Sequence, residues 1–436
     1  MSASPTPDLA SPLTNRPTWR SAIRGNVLMM GLVSLLTDFS SEMMNPLLPV
    51  FIAGIVPLGW APFYVGLMEG VAEATASLLK LVSGRLSDVL GKRKMLVVVG
   101  YGLSTIFRPM MALAMAGWQV VVMKFADRIG KGIRTSPRDA LISQSVVPEY
   151  RGLAFSFHRA MDNTGAIAGP LVAIAILYAF LGGELFDKTG WWGTSGGQDH
   201  HHVVTALRWL FGIALIPGLA AMVMLVSKVR EISPPAATDA KITSKDGRRL
   251  PRPFYVFVGI VVLFALGNSS DLFIVLYGWE RFGLSMIDLI GLWILLHVLK
   301  VASSFPGGML SDRIGRRPLI VGGWAVYALV YLGFAVVHQT WQFWALVAAY
   351  GVYYGLTEGV ERALIADFVP AENRGTAYGV YHGAIGFAAL PASLIFGILW
   401  KFIGPVIAFG IGAGLAGLAA VLLVVFLSTS KRPAQA

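Results

Sequence analysis

Apolar stretches of about twenty residues recur along the chain, parted by short polar segments, and they predict membrane-spanning helices. Twelve are predicted, labelled α1 to α12 in chain order: 26–56, 62–82, 95–116, 118–147, 153–180, 204–227, 254–277, 285–305, 318–337, 341–368, 375–401 and 405–427. The polar residues inside them fall on faces. In α1, Ser34, Asp38, Ser41, Glu42 and Asn45 share one face, and Pro46 and Pro49 predict a kink near its end. In α2 the shared face carries Glu69, Glu73 and Lys80, and α5 carries His158, Arg159, Asp162 and Asn163. The most polar is α4. At 100° per residue Lys124, Arg128, Lys131, Thr135 and Arg138 fall within an arc of roughly 80°, with Asp127 and Arg134 at its edge. A base at the centre of a membrane helix costs about 2.5–3.5 kcal/mol. This face must therefore meet a water-filled cavity or acids on neighbouring helices. Pro137 predicts the end of α4 or a bend in it.

Composition agrees with a polytopic membrane protein. Of 436 residues, 55% are hydrophobic and 14% charged, and the mean hydropathy is +0.66. The net charge of +11 does not predict a nucleic-acid partner, because Lys and Arg gather in alternate loops and in the tails. That asymmetry predicts cytoplasmic termini. With no cysteine there is no disulfide and no thiol chemistry. Residues 1–24 lack the apolar core of a signal peptide and read as a cytoplasmic tail. Residues 228–253 form a hydrophilic linker with Lys228, Arg230, Lys241, Lys245, Arg248, Arg249 and Arg252. It separates an N-terminal six-helix bundle, 25–227, from a C-terminal one, 254–428, and 429–436 reads as a second cytoplasmic tail.

The two halves echo each other. Residues 84–88 (GRLSD) match 308–312 (GMLSD), Trp118-Gln119 matches Trp341-Gln342, 139–142 matches 362–365, and Arg151-Gly152 matches Arg374-Gly375. All lie at an offset of 223 or 224 residues, which marks an internal repeat. These residues resemble the major facilitator superfamily over essentially the whole chain. Residues 84–94 are similar to its signature loop between the second and third helices, and 308–317 to the repeat of that loop. Residues 128–132 look like a shortened form of the α4 motif linked to proton coupling. Residues 165–170 are similar to the end of the antiporter motif, with Ser156 where that motif has glycine. The resemblance implies an all-α membrane protein of twelve transmembrane helices in two pseudo-symmetric six-helix bundles. It also implies a cavity lined by α1, α4, α7 and α10 and alternating access by rocking of the halves.

The polar groups predict an asymmetric substrate cavity. Asp38, Glu42, Lys124, Arg128 and Lys131 form one wall, and Asn268, Asp271, Tyr350, Tyr354 and Glu358 the other. Buried acids of the first half (Asp38, Glu42, Glu69, Glu73, Asp127, Asp162) nearly balance its bases (Lys80, Arg108, Lys124, Arg128, Lys131, Arg134, Arg159). The α4 bases therefore read either as a charge-balanced network or as an anion site, with Lys131 or Arg128 as the contact. Tyr350, Tyr353 and Tyr354 make an aromatic face on α10, which reads as a substrate wall or as packing. Proton coupling needs a carboxylate whose neighbours change as the cavity opens. Asp38, Glu42 and Asp127 are the candidates, against the alternative that each is a permanently ionised structural partner. Gly84, Asp88, Gly91, Arg93, Gly308, Asp312, Gly315 and Arg316 read as a gate, or else as static loop caps. The spacing of Gly165, Gly169 and Pro170 predicts close helix packing.

Residues 199–202 (DHHH) read as a polar loop in preference to a metal site. No catalytic triad or complete metal motif stands out, and Gly130-Lys131-Gly132 lacks the spacing of a phosphate loop. No enzyme activity, cofactor or metal is expected. The predicted protein is a monomeric, multi-pass secondary active transporter of the bacterial inner membrane, driven by protons. Its partners are lipid, protons and a small amphipathic substrate, with export favoured over uptake. The alternatives are an organic-anion importer and a transporter-like ligand sensor or scaffold.

Overall fold

Inside hydrocarbon every backbone N–H and C=O must find a partner within its own segment, so apolar stretches of this length coil into helices. The computed structural model describes residues 23–90, 92–147, 151–186, 198–232, 250–369 and 374–429. The helices are α1 (Asn26–Glu42, resuming as Leu48–Ile55), α2 (Ala61–Leu90), α3 (Arg93–Met110), α4 (Gly117–Gln144), α5 (Arg151–Leu181) and α6 (Gln198–Ile213 and Leu215–Lys228). The second half supplies α7 (Arg252–Gly267 and Asp271–Phe282), α8 (Met286–Ile314), α9 (Arg316–Val336), α10 (Thr340–Phe368), α11 (Arg374–Phe402) and α12 (Pro405–Thr429). Among the described residues, nine of these helices are long and apolar enough to cross a membrane. The other three, α2, α4 and α10, carry charged and polar residues that bring their hydropathy down.

Several boundaries differ from the sequence expectation, for a common reason: hydropathy measures the apolar slab, whereas a helix continues as long as its backbone does. Residues 84–90, expected in a loop, are the last turns of α2, and α8 runs to Ile314 instead of stopping near 305. Pro137 does not end α4, which continues to Gln144. The stretch 198–202, expected in a loop, opens α6. The predicted kink in α1 is present as a break with a short 3-10 turn, Asn45–Leu47, holding Pro46. A second break, unforeseen, interrupts α7 at Asn268, Ser269 and Ser270. Ser270 caps the resumed helix by accepting from the Leu272 N–H at 3.3 Å.

Two seams join the halves: α2 lies along α11, and α5 along α8. Glycines set the closeness of the first. Gly66 lies on the backbone of Ser393, Gly70 on that of Leu390, and Gly397 on that of Pro62, where a Cβ would clash. These contacts lie towards the end of the bundle that carries the α1–α2 and α11–α12 connections, called here the far end. The opposite, basic end carries the α2–α3 and α8–α9 connections. At the far end the Lys401 ammonium also lies on the Trp60 ring, and the resumed segment of α1 packs on that of α7. Within the first half Gly165 and Gly169 of α5 seat against the backbone of α1 at Leu35 and Phe39.

Candidate substrate cavity

The α4 face meets both acids and a cavity. Arg108 of α3 is buried; its Nη2 donates to Asp127 Oδ1 at 3.1 Å and its Nη1 to the Thr37 carbonyl at 2.9 Å, tying three helices. Arg134 donates to Ser104 Oγ and stacks on the Tyr101 ring at 4.3 Å. Arg128 Nε lies 4.0 Å from Asp127 Oδ2. Lys124, also buried, donates to Asn45 Oδ1 at 3.0 Å. These groups border a cavity of about 120 Å³, which Asp38, Ser41, Glu42 and Lys131 also line.

The second-half wall is organised by the break in α7, since a backbone leaves helical form inside a membrane only where it lines a cavity or is buried in protein. Asp271 pairs with Lys300 of α8 and accepts from the Tyr350 hydroxyl at 2.7 Å. Asn268 Oδ1 accepts from the Tyr327 hydroxyl at 3.1 Å, and Ser269 and Tyr331 share a hydrogen bond of 2.9 Å. Tyr327 and Tyr331 stack with ring centroids 4.2 Å apart, and Tyr350 and Tyr353 pack into this cluster. The expected aromatic face is thus partly core. Tyr354 stands under the Lys300 ammonium, 4.2 Å from its ring centroid. Two adjoining cavities of about 350 Å³ each open here. One is lined by Glu69, Glu73, Asn268, Asp271, Tyr350 and Tyr354, the other by Ser77, Lys80, Tyr353, Glu361, Tyr381 and His382 among others.

Two side chains of the first half reach across. Glu42 accepts from Trp293 Nε1 of α8 at 2.9 Å, and Glu69 from the Ser270 hydroxyl at 3.0 Å. Of the residues predicted for the substrate cavity, Asp38, Glu42, Lys124, Arg128 and Lys131 come together at the first cavity, and Asn268, Asp271, Tyr350 and Tyr354 at the others. The side chain of Glu358 lies outside the described residues. Sequence reasoning left out the contributions of α2 and α11. Glu69, Glu73 and Lys80 share one face in the sequence, but the resemblance implies only four lining helices.

Of the gate residues, Gly91 and the side chains of Asp88 and Asp312 lie outside the described residues, and Gly84 and Gly308 sit within helices α2 and α8. Gly315 joins α8 to α9 at φ +90°, a conformation that favours glycine. Arg93 is buried where α3 begins. Its N–H and that of Lys94 donate to the Glu231 carboxylate at 3.1 and 2.9 Å, a cap that sequence reasoning missed. Among the described residues no three His, Asp or Glu side chains are grouped to hold a metal. The side chains of Asp199 and His200 lie outside them, and His202 Nδ1 is 3.1 Å from Glu184 Oε2.

Fold and site together define a polytopic helical membrane protein whose two bundles enclose a polar space. The chain belongs to the Major Facilitator Superfamily, whose model matches residues 30–300 and 288–436. It is 34% identical over 407 residues to an uncharacterized MFS-type transporter of Methanocaldococcus jannaschii, covering 92% of this chain and 94% of that one. A 120-residue stretch is 32% identical to the multidrug resistance protein MdtH of Cronobacter sakazakii, covering 28% of this chain and 30% of that one. Its fold is similar to that of a D-xylose-proton symporter, with a TM-score of 0.70 at 18% identity over 94% of this chain and 98% of the other. The protein is accordingly a secondary transporter in a multi-pass membrane fold, and this family is one of transporters, not enzymes.

Proposed function

We propose that the protein moves a small amphipathic molecule carrying an ionised group, coupled to protons, by alternating access between its two bundles. The observation that carries this reading is the asymmetry of the polar space. One wall holds Lys124, Arg128 and Lys131 with Asp38 and Glu42; the other offers Tyr350 and Tyr354 around the Asp271–Lys300 pair. Ionised groups suit the first wall, and rings or hydrophobic bodies the second. Asp38, Glu42 and Asp127 all line the first cavity, and of these Asp38 and Glu42 are the coupling carboxylates. Asp127, held by Arg108, has the geometry of a structural partner. The partial likeness to a multidrug resistance protein favours export. The excess of Lys and Arg at the basic end supports a topology in a bacterial inner membrane with that end and both termini on the cytoplasmic side. There the residues around the α2–α3 and α8–α9 connections act as the gate.

Ligand stabilisation tests the reading. The purified protein is unfolded by heat with paired libraries of organic anions and lipophilic cations at two pH values. A ligand at 100 times its Kd adds about 2.7 kcal/mol. Stabilising anions are expected, with the effect weakened when positive charge is taken from this wall, as in Lys131→Ala or Arg128→Ala. Cations whose effect is lost in Asp38→Asn or Glu42→Gln would instead make α4 a structural partner and the protein a drug–proton antiporter. Counterflow in proteoliposomes separates a transporter from a ligand sensor, which shows none. Transport indifferent to pH and to a proton gradient would remove the coupling.

A further inference from the structure

Six side chains form one continuous polar chain that starts and ends in the second half. Trp293 donates to Glu42 at 2.9 Å; Glu42 accepts from Asn45 Nδ2 at 2.8 Å; Asn45 Oδ1 accepts from Lys124 at 3.0 Å. Lys124 Nζ stands 3.8 Å from Glu69 Oε1, and Glu69 Oε2 accepts from Ser270 at 3.0 Å. The chain threads α1, α4 and α2 between its two anchors on α8 and α7. Its links lie between mid-height and the far end, where the α2–α11 seam is closed. Lys124 is its only cation.

We propose that Lys124 is the docking point for the anionic group of the substrate, a carboxylate or comparable monoanion, and that Glu69 occupies this point while the far end is closed. The inference rests on the proposed transport function and specifies its ligand chemistry. Three features carry it. At 3.8 Å the Lys124–Glu69 contact is longer than a hydrogen bond, so an incoming anion displaces Glu69 without breaking one. An ammonium has three donors, and among the described residues Lys124 donates a hydrogen bond to Asn45 alone, leaving capacity for an acceptor. Lys124 lines the first-half cavity and Glu69 one of the second-half pair, so their contact lies between the two linings. An anion on Lys124 takes the counter-charge from Glu69 and repels it. The Glu69–Ser270 link then no longer ties the cation of α4 to the second half, which leaves the Trp293–Glu42 anchor alone and loosens the far end. Glu69 is thus a positioning residue that makes opening conditional on an anion.

The absence of native cysteine makes the test direct. Ser393→Cys places one thiol in the far-end seam beside Gly66, where it is buried. Its labelling by a charged methanethiosulfonate is timed in nanodiscs. Adding Ser270→Ala and Trp293→Phe removes both second-half anchors without touching a charge, and labelling is expected to quicken about fivefold or more. Labelling at the parent rate would overturn the latch. In the parent, millimolar benzoate, octanoate or benzenesulfonate is expected to quicken labelling, the neutral amides benzamide and octanamide are not, and Lys124→Gln is expected to abolish the difference. No difference between the anions and the amides would overturn anion docking at Lys124. Counterflow measured on the same protein keeps the two readings apart: transport that persists beside an anion-insensitive seam retains the transporter and discards this site.

Discussion

Arg108→Met is expected to cost the folded state about 3–5 kcal/mol, the range for removing one partner of a buried ion pair. Both side chains of the pair are less than 10% exposed. With Arg108 gone, Asp127 Oδ1 loses its 3.1 Å partner and the Thr37 carbonyl loses its donor. Arg128 is a poor substitute at 4.0 Å, on the other carboxylate oxygen. Asp127→Asn should cost a similar amount by stranding Arg108. The double variant Arg108→Met/Asp127→Asn, which buries neither charge, is expected to recover at least half of the loss. Equilibrium unfolding by SDS titration in mixed micelles reads all three. If each single variant loses less than about 1 kcal/mol, the pair is not the structural tie described here, and Asp127 returns as a coupling carboxylate.

Gly165→Val is the second large effect. A Cβ at Gly165 would strike the Leu35 carbonyl and the Phe39 amide of α1, and both are backbone, so no rotamer change relieves the overlap. Overpacking a close crossing typically costs about 1–3 kcal/mol, and a β-branched side chain against backbone should reach the top of that range. The matched control is Gly102→Ala, whose nearest neighbour would be the Met222 methyl at 3.7 Å, an ordinary contact. Gly165→Val is expected to lower both the yield of monodisperse protein and the unfolding midpoint, with Gly102→Ala close to the parent. Equal behaviour of the two would mean that α1 and α5 do not cross as closely as drawn.

Hydropathy, the internal repeat and the polar faces are properties of short stretches, and they carried the twelve-helix class, the two-bundle plan and the α4 face. They were enough to mark Gly165 and Gly169 as a packing surface, because small residues at helical spacing leave a groove whichever helix fills it. They could not tell which of two adjoining roles a charge would take. Asp38, Glu42 and Asp127 looked alike on their own helices. The partners that distinguish Asp127 and Glu42 come from other helices. Arg108 lies 19 residues from Asp127, and Trp293 lies 251 residues from Glu42. Glu69 was legible as a buried acid, but its position between Lys124 and Ser270 depends on where α2 stands relative to α4 and α7. The break in α7 was hidden for a related reason. Asn268-Ser-Ser is short enough to pass within an apolar window, and the partners its side chains take, Tyr327, Tyr331 and Glu69, come from other helices, with the Tyr327 hydroxyl also donating to the Gly267 carbonyl at the break. The sequence by itself determined which residues must be kept from lipid. The tertiary structure decided which of them meet, because a charge in a low-dielectric interior is defined by the group placed within a few ångströms of it, and that distance is set by packing between helices.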